Sequence, residues 1–428
     1  MSHLSEKFNL QPSLRAAISV LAIVLVLMVV VTQAAQAQTL TVLHNFTGPD
    51  GAGPEAGLTM DRAGNLYGTA RFGGYTGVAC GPDGCGTVFK LSHKGSGWVF
   101  TPLYIFQGGD DGEYPQARVI IGASGDLYGA TVMGGLFYGT VFNLKPPARA
   151  CTTALCGWTK SVLYSFTGGT DGGYPAGDLV FDQAGDLYGT TSEGGPANDG
   201  VVYELTPSHG AWTETVPYSF PGGTSGAEPY SGVIFDSSGN IYGTTAFGGM
   251  GQLGGDGTVY KLTQSGSGWT ESLLHDFMNT TDGWCPKGGL LFDESGNLFG
   301  ATNGNGSGGT VFEMNFSDGN WTLTTIHSFD ASFPGGPTAT LAMDAAGNLY
   351  GTTPGGGAYG YGSVFKLTPS GGTWAYVDMY DFMGQSDGGY PYGGVTLDAH
   401  GNLYGTAGSG GTGNCYPSGC GVVWEITP

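Results

Sequence analysis

Residues 182–191 read DQAGDLYGTT, and the chain writes this phrase seven times. Its core, Gly-Asn/Asp-Leu/Ile-Tyr/Phe-Gly, begins at Gly64, Gly125, Gly185, Gly239, Gly296, Gly347 and Gly401, a period of about 56 residues that marks a repeat array. Six copies place an aspartate three residues before that glycine (Asp61, Asp182, Asp236, Asp293, Asp344, Asp398), with Gly122 as the exception. Between two apolar runs this is hairpin chemistry, because the carboxylate can accept from the turn backbone while Gly and Asn tolerate positive φ. These residues read as turn formers rather than as a site.

Working outward within the third copy, four strands follow one another at residues 178–182, 187–191, 201–206 and 212–220. The third strand recurs as GTVFKL at Gly86, GTVFNL at Gly139, GVVYEL at Gly200, GTVYKL at Gly257, GTVFEM at Gly309, GSVFKL at Gly362 and GVVWEI at Gly421. The fourth ends at Phe46, Phe106, Phe166, Phe220, Phe277, Phe329 and Phe382. Residues 39–46 are a fourth-type strand ahead of any first strand, and residues 422–427 are a third-type strand with nothing after it. Pairing them yields an all-β, seven-bladed β-propeller of four-stranded blades over residues 38–428, closed by the N-terminal strand in the last blade. An open β-solenoid is the alternative, although 51–61 residues with four strand signals is long for one coil.

Composition agrees with many short, tightly turned strands: 83 glycines, 12% aromatic and 11% charged residues among 428. The formal net charge of −21 would repel nucleic acid and anionic membrane, so neither is expected as a partner. Solubility outside a cell and a cation-binding role both fit that charge. Residues 1–37 carry Lys7 and Arg15, the apolar run 16–31 and Ala35-Gln36-Ala37, the three regions of a secretory signal peptide. Cleavage after Ala37 is expected, with an uncleaved anchor as the alternative. The location expected is secreted, cell-surface or periplasmic, and the mature protein a monomer free of the membrane.

Cys80 and Cys85, Cys151 and Cys156, and Cys415 and Cys420 share the spacing C-x4-C in turn-rich segments, which suits three local disulfides. Metal binding is the rival reading, but each isolated pair supplies two ligands where zinc takes four. Cys285 is left over, as a partly buried free thiol or an intermolecular link.

The phrases LYGTT, GTVFKLTPSG and LYSFTGGTDGGYPAG resemble the GloVer tandem repeat of exported bacterial proteins, over about residues 39–428. The resemblance implies a secreted or surface-attached repeat protein of a family with no settled activity. Departures are local: Gly122 replaces the turn aspartate, Phe299 replaces tyrosine, and residues 330–337 lack the Asp-Gly pair.

Catalytic motifs fail on context. Residues 384–388 fit G-x-S-x-G, yet they lie in an inter-blade loop rather than a strand-to-helix turn. Gly304, Gly306 and Gly309 fit G-x-G-x-x-G with no helix to follow. His44, His275 and His327 exchange with Tyr104, Tyr164, Tyr218 and Tyr380 at one fourth-strand position, which argues for packing. The loop joining each fourth strand to the next blade reads Asp-Gly-x-x-Pro at Asp50, Asp111, Asp171, Asp282 and Asp387, with aromatics at Tyr114, Tyr174, Trp284 and Tyr390. Five carboxylates and four aromatics could ring one end of the channel and stack on sugars or hold a hard cation such as calcium. Equally, Asp-Gly starts a turn and Tyr-Pro caps the incoming strand. The reading is therefore a non-catalytic binding or scaffold module for a glycan or surface protein, without a cofactor. A secreted propeller hydrolase or lyase acting on polysaccharide is the alternative.

Overall fold

Seven four-stranded antiparallel sheets succeed one another along the chain, as a computed structural model shows. It describes residues 38–427 except 96, 148–156, 252–254, 267, 279–280, 305–307, 331–334 and 416–417. The expected signal peptide, residues 1–37, lies outside the described residues. In blade 3 the strands are Val180–Phe181, Leu187–Thr191, Val201–Ser208 and Ala211–Ser219, and the other blades repeat this order. Blade 7 takes Thr396–Leu397, Leu403–Ala407 and Val422–Thr427 from the C-terminal end and Thr39–Asn45 from the N-terminal end, the closure expected from the sequence.

The hairpins follow the turn chemistry. The Asp61 carboxylate accepts from the backbone N–H of Ala63 and of Asn65, each at 2.9 Å, and from the Asn65 amide at 2.7 Å and the Tyr67 hydroxyl at 3.1 Å. Gly64 sits at φ 79° between them. The same set recurs at Asp236, Asp344 and Asp398. Burial works against ionisation, yet these hydrogen bonds hold all four carboxyls below the ordinary aspartate range.

One ring contact repeats at every blade junction and closes the circle. The phenylalanine ending each fourth strand meets the third-strand aromatic of the next blade at 4.9–5.9 Å: Phe106 on Phe142, Phe166 on Tyr203, Phe220 on Tyr260, Phe277 on Phe312, Phe329 on Phe365 and Phe382 on Trp424. Phe46 on Phe89, at 5.3 Å, completes the set between blades 7 and 1. All seven third-strand rings are fully buried. Each lies over the glycine of the LYG phrase in the second strand. A Cβ at Gly189 would come within 2.4 Å of the Tyr203 hydroxyl, and one at Gly405 within 2.2 Å of Trp424. That crowding, rather than a turn, explains why this glycine recurs in every copy.

The first strands are shorter than expected, two residues where residues 178–182 suggested five. The preceding residues run along the axis and pack against the next blade's backbone instead of pairing within their own sheet. A Cβ at Gly232 would approach the Asp178 carbonyl oxygen to 2.2 Å, so the segments meet almost main chain to main chain.

Two of the three expected disulfides are formed, Cys80–Cys85 and Cys415–Cys420. The third, expected between Cys151 and Cys156, is not among the bridges of the described residues. Cys151 lies outside the described residues, and so does Cys156.

Candidate functional site

Five of the seven inter-blade loops carry the Asp-Gly pair, Ser225-Gly226 stands at that place before Pro229, and every loop enters the next blade through a proline. The residue before that proline donates its N–H to a carbonyl in the preceding blade: Tyr114 to Cys85, Tyr174 to Tyr138, Glu228 to Asp199, Cys285 to Asp256, Tyr390 to Tyr361 and Gly53 to Cys420, at 2.8–3.0 Å. Five of the six are non-glycine residues at φ 54–59°, a conformation that costs an ordinary residue about 1–2 kcal/mol. The recurring hydrogen bond holds them there. Paired bridges such as Glu113 with Met133 and Gly173 with Glu193 tie these loops to those between second and third strands, so both sets share one face.

The five loop carboxylates are held inside their own turns. Asp50 accepts from the Thr47 N–H at 2.8 Å and pairs with His44 Nε2 at 2.9 Å. Asp111 accepts from the Gln107 N–H at 2.7 Å, the Tyr104 hydroxyl at 2.7 Å and the Lys160 ammonium at 3.0 Å. Asp171 accepts from the Thr167 N–H at 2.8 Å and the Tyr164 hydroxyl at 3.0 Å. Asp282 accepts from the Met278 N–H and lies 3.1 Å from His275 Nε2. Asp387 accepts from the Met383 N–H at 2.8 Å and the Tyr380 hydroxyl at 3.1 Å. In five blades the fourth-strand His/Tyr position thus faces the loop aspartate, which both residue types can serve; Tyr218 donates instead to Glu271, and His327 stacks on Tyr376.

The aromatics fill the junctions edge to face. Tyr114 meets Phe72 at 5.5 Å, Tyr174 meets Tyr138 at 5.6 Å, Trp284 meets Phe247 at 5.9 Å and Tyr390 meets Tyr361 at 5.6 Å. Many exposed apolar side chains project from this face, among them Tyr75, Phe137, Met250, Tyr359 and Tyr361, with Phe137 at 83% exposure.

None of the nine predicted residues lines the axial cavity, which has a volume of about 110 Å³. Its walls are the three residues after each loop proline, Ala117 excepted, small at the middle position and varied on either side. Arg118 reaches one carboxylate oxygen of Asp178 through Nε at 3.0 Å and Nη2 at 2.9 Å. Glu55 accepts from Arg71 and Gln116, both at 3.0 Å. Tyr230 donates to Glu228 at 2.8 Å, and the Lys287 ammonium sits 5.1 Å from the Tyr230 ring centre. Burial and the Glu228 hydrogen bond push the Tyr230 phenol up. Sequence reasoning missed these residues because it looked for what recurs. The signal was the reverse, variation directly after a fixed proline.

The bridges Cys80–Cys85 and Cys415–Cys420 settle those two pairs against metal binding, and Cys285 is a free, buried thiol. Burial pushes that thiol up to about 11. Among the described residues, no group of three or more His, Cys, Asp or Glu could hold a metal ion, and no helix is long and apolar enough to cross a membrane.

The Gloeobacter/Verrucomicrobia repeat matches residues 29–254, 152–337 and 250–428. The chain belongs to this family. No curated protein matches it. Among solved structures, a candidate 6-phosphogluconolactonase from Bacteroides uniformis is similar at 16% identity and TM-score 0.48, covering 82% of this chain and 89% of that one. A candidate oxidoreductase (glucose dehydrogenase) from Thermus thermophilus shares 15% identity at TM-score 0.43, over 91% of this repeat chain and 100% of its own. A candidate gluconolactonase shares 12% at TM-score 0.40, over 91% and 92%.

Proposed function

We propose that this repeat protein is an exported, non-catalytic binding module that holds a glycan or surface protein against the face carrying the inter-blade loops. The carrying observation is the pairing on that face of five loops, each closed by its own aspartate, with exposed aromatic and apolar side chains. In this reading Asp50, Asp111, Asp171, Asp282 and Asp387 pre-organise the loops, and Tyr114, Tyr174, Trp284 and Tyr390 lend ring area to contacts. The two disulfides support an oxidising compartment, in keeping with the expected signal peptide.

A face-blocking experiment tests it. A bulky maleimide polymer on Ser386→Cys, in an exposed loop of that face, should abolish retention on cell-wall material, while the same polymer on Asp318→Cys, in a third-to-fourth hairpin at the opposite face, should not. Equal retention of both conjugates would sink the reading.

A second reading, a polysaccharide-acting hydrolase or lyase, draws on the unrepeated Glu55, Arg118, Asp178 and Lys287 around the axis. Its test is the release of new reducing ends from polysaccharide. Their absence after prolonged incubation would remove it.

A further inference from the structure

The junction between blades 7 and 1 differs from its neighbours in one respect. Gly53 makes the same backbone hydrogen bond as Tyr174 and Tyr390, to Cys420 at 3.0 Å, but brings no ring of its own; the Phe72 ring lies 2.9 Å from where its Cβ would stand. Pro82 and Asp83, between the bridged Cys80 and Cys85, flank that space on one side, and Asn414, Cys415 and Ser418 flank it on the other. Between them lies an open groove of about 930 Å³, near the top of the range of roughly 300–1,000 Å³ that small-molecule sites occupy. Phe72, Tyr390 and Tyr392 line it together with Glu55.

The lining has a definite chemistry. Tyr390 and Tyr392 lie nearly parallel, 19° apart with ring centres separated by 6.5 Å, and Tyr392 is 43% exposed. Their arrangement is held from behind, because the Tyr390 N–H is bonded to Tyr361 and the Tyr392 N–H to the Tyr390 carbonyl at 3.0 Å. The Arg71 guanidinium stands 4.8 Å from the Phe72 ring centre and also holds Glu55. Thr76, Asn414, Ser418 and Asp83, which carry hydroxyl, amide and carboxylate groups, line the same groove. Flat apolar faces bordered by donors and acceptors match a pyranose, whose C–H face stacks while its hydroxyls hydrogen-bond around the rim. Glu55 and Asp83, on a chain of net charge −21, disfavour uronates and sulfated sugars.

We infer that the groove at the blade 7–blade 1 seam is a binding site for an uncharged oligosaccharide, with Tyr392 as its principal stacking ring. This rests on the loop-face reading and narrows it to one junction and one ligand class. The disulfide-stapled segments then border a site, with Pro82, Asp83 and Cys415 in its lining.

Isothermal titration of the oxidised, full-length chain tests the assignment, using cellohexaose, chitohexaose and mannohexaose, with hexagalacturonate as the anionic control. At least one uncharged hexasaccharide binds, and hexagalacturonate binds neither the parent nor any variant. Tyr392→Ala weakens binding about tenfold or more, the scale of one lost stacking contact. Phe316→Ala, an exposed ring in a third-to-fourth hairpin at the opposite face, is the control and changes it less than about twofold, while Tyr174→Ala probes an internal junction of the loop face. Should Tyr392→Ala melt early, Gly53→Tyr serves instead: its φ of 59° is one that Tyr174 and Tyr390 already adopt, and its Cβ, 2.9 Å from the Phe72 ring, pushes that ring aside so that the two rings together block the groove. Binding that survives both Tyr392→Ala and Gly53→Tyr, or its absence with all three sugars, overturns the inference. Binding lost in Tyr174→Ala alone moves the ligand to another junction, overturning the seam site while the loop-face reading stands.

Discussion

The seam between blades 7 and 1 and the junction between blades 2 and 3 share one backbone frame and differ in almost every side chain hung on it. In both, the residue before the loop proline donates to the preceding blade, and a terminal phenylalanine meets a third-strand ring. At blades 2–3 the upper space is filled by Tyr138 and Tyr174, the buried ring is Tyr203, and Glu214 projects toward Tyr164 and Asp171. At the seam no tyrosine stands before the proline and a groove opens beside Phe72, the buried ring is Phe89, and Phe100 takes the place of Glu214, stacked on His44 at 3.7 Å. The difference teaches that the repeat specifies how blades join, while individual positions on that frame remain available for chemistry.

The strongest way to break this comparison is to remove the seam itself. Deleting residues 39–46 takes away the outer strand of blade 7 and Phe46, so the whole ring should lose cooperative melting at its original temperature. A truncated chain melting like the parent would mean that the seam does not close the fold.

Next in size is the wall of the seam. Replacing Cys415 and Cys420 together by serine should cost about 2 kcal/mol, as expected for opening so short a loop, read by chemical denaturation. The same denaturation curve before and after substitution would separate the disulfide from the stability of the junction.

At the internal junction, the Tyr203 hydroxyl is buried with no hydrogen-bond partner among the described residues, and the corresponding ring is phenylalanine in four other blades. Tyr203→Phe should therefore raise stability by about 1 kcal/mol, the scale of relieving one unsatisfied buried group. Destabilisation would show that the hydroxyl has a partner in solution, and the two junctions would be more alike than they look.

The smallest effect is a pH response of opposite sign at the two junctions. Burial, and then the Asp171 charge, push Glu214 up to about 7, so folding resists its ionisation; that penalty is absent below the unfolded value near 4.5 and complete above about 7. Burial holds His44 below its ordinary 6.5 despite the Asp50 charge, so the seam is destabilised as pH falls through 6.5 toward the lower folded value. Glu214→Gln should raise the melting temperature at pH 8, by up to about 2 °C, and leave it unchanged at pH 4. His44→Tyr, the residue found at this position in other blades, should help only below about pH 6. A gain from Glu214→Gln that is equal at both pH values would remove the electrostatic account.

The sequence by itself determined the repeat, the blade count, the hairpin turns and the exchange of strands between the chain's ends. These are local signals: Asp61 binds Ala63 and Asn65 within five residues, and seven copies make the pattern unmistakable. It also placed the Asp-Gly-x-x-Pro loops on one face. Only the tertiary structure decided which side chains those loops present. The axial cavity takes its lining from all seven blades, and the seam groove joins residues 47–83 to residues 390–419. Contacts across the seam link positions as distant as Thr406 and Ala56, where no spacing within one repeat can foretell who meets whom. The first strands shortened for the same reason, since their neighbours at the axis belong to other blades. A repeat dictates the frame because each copy satisfies its own backbone, whereas a site between copies depends on residues that only ring closure brings together.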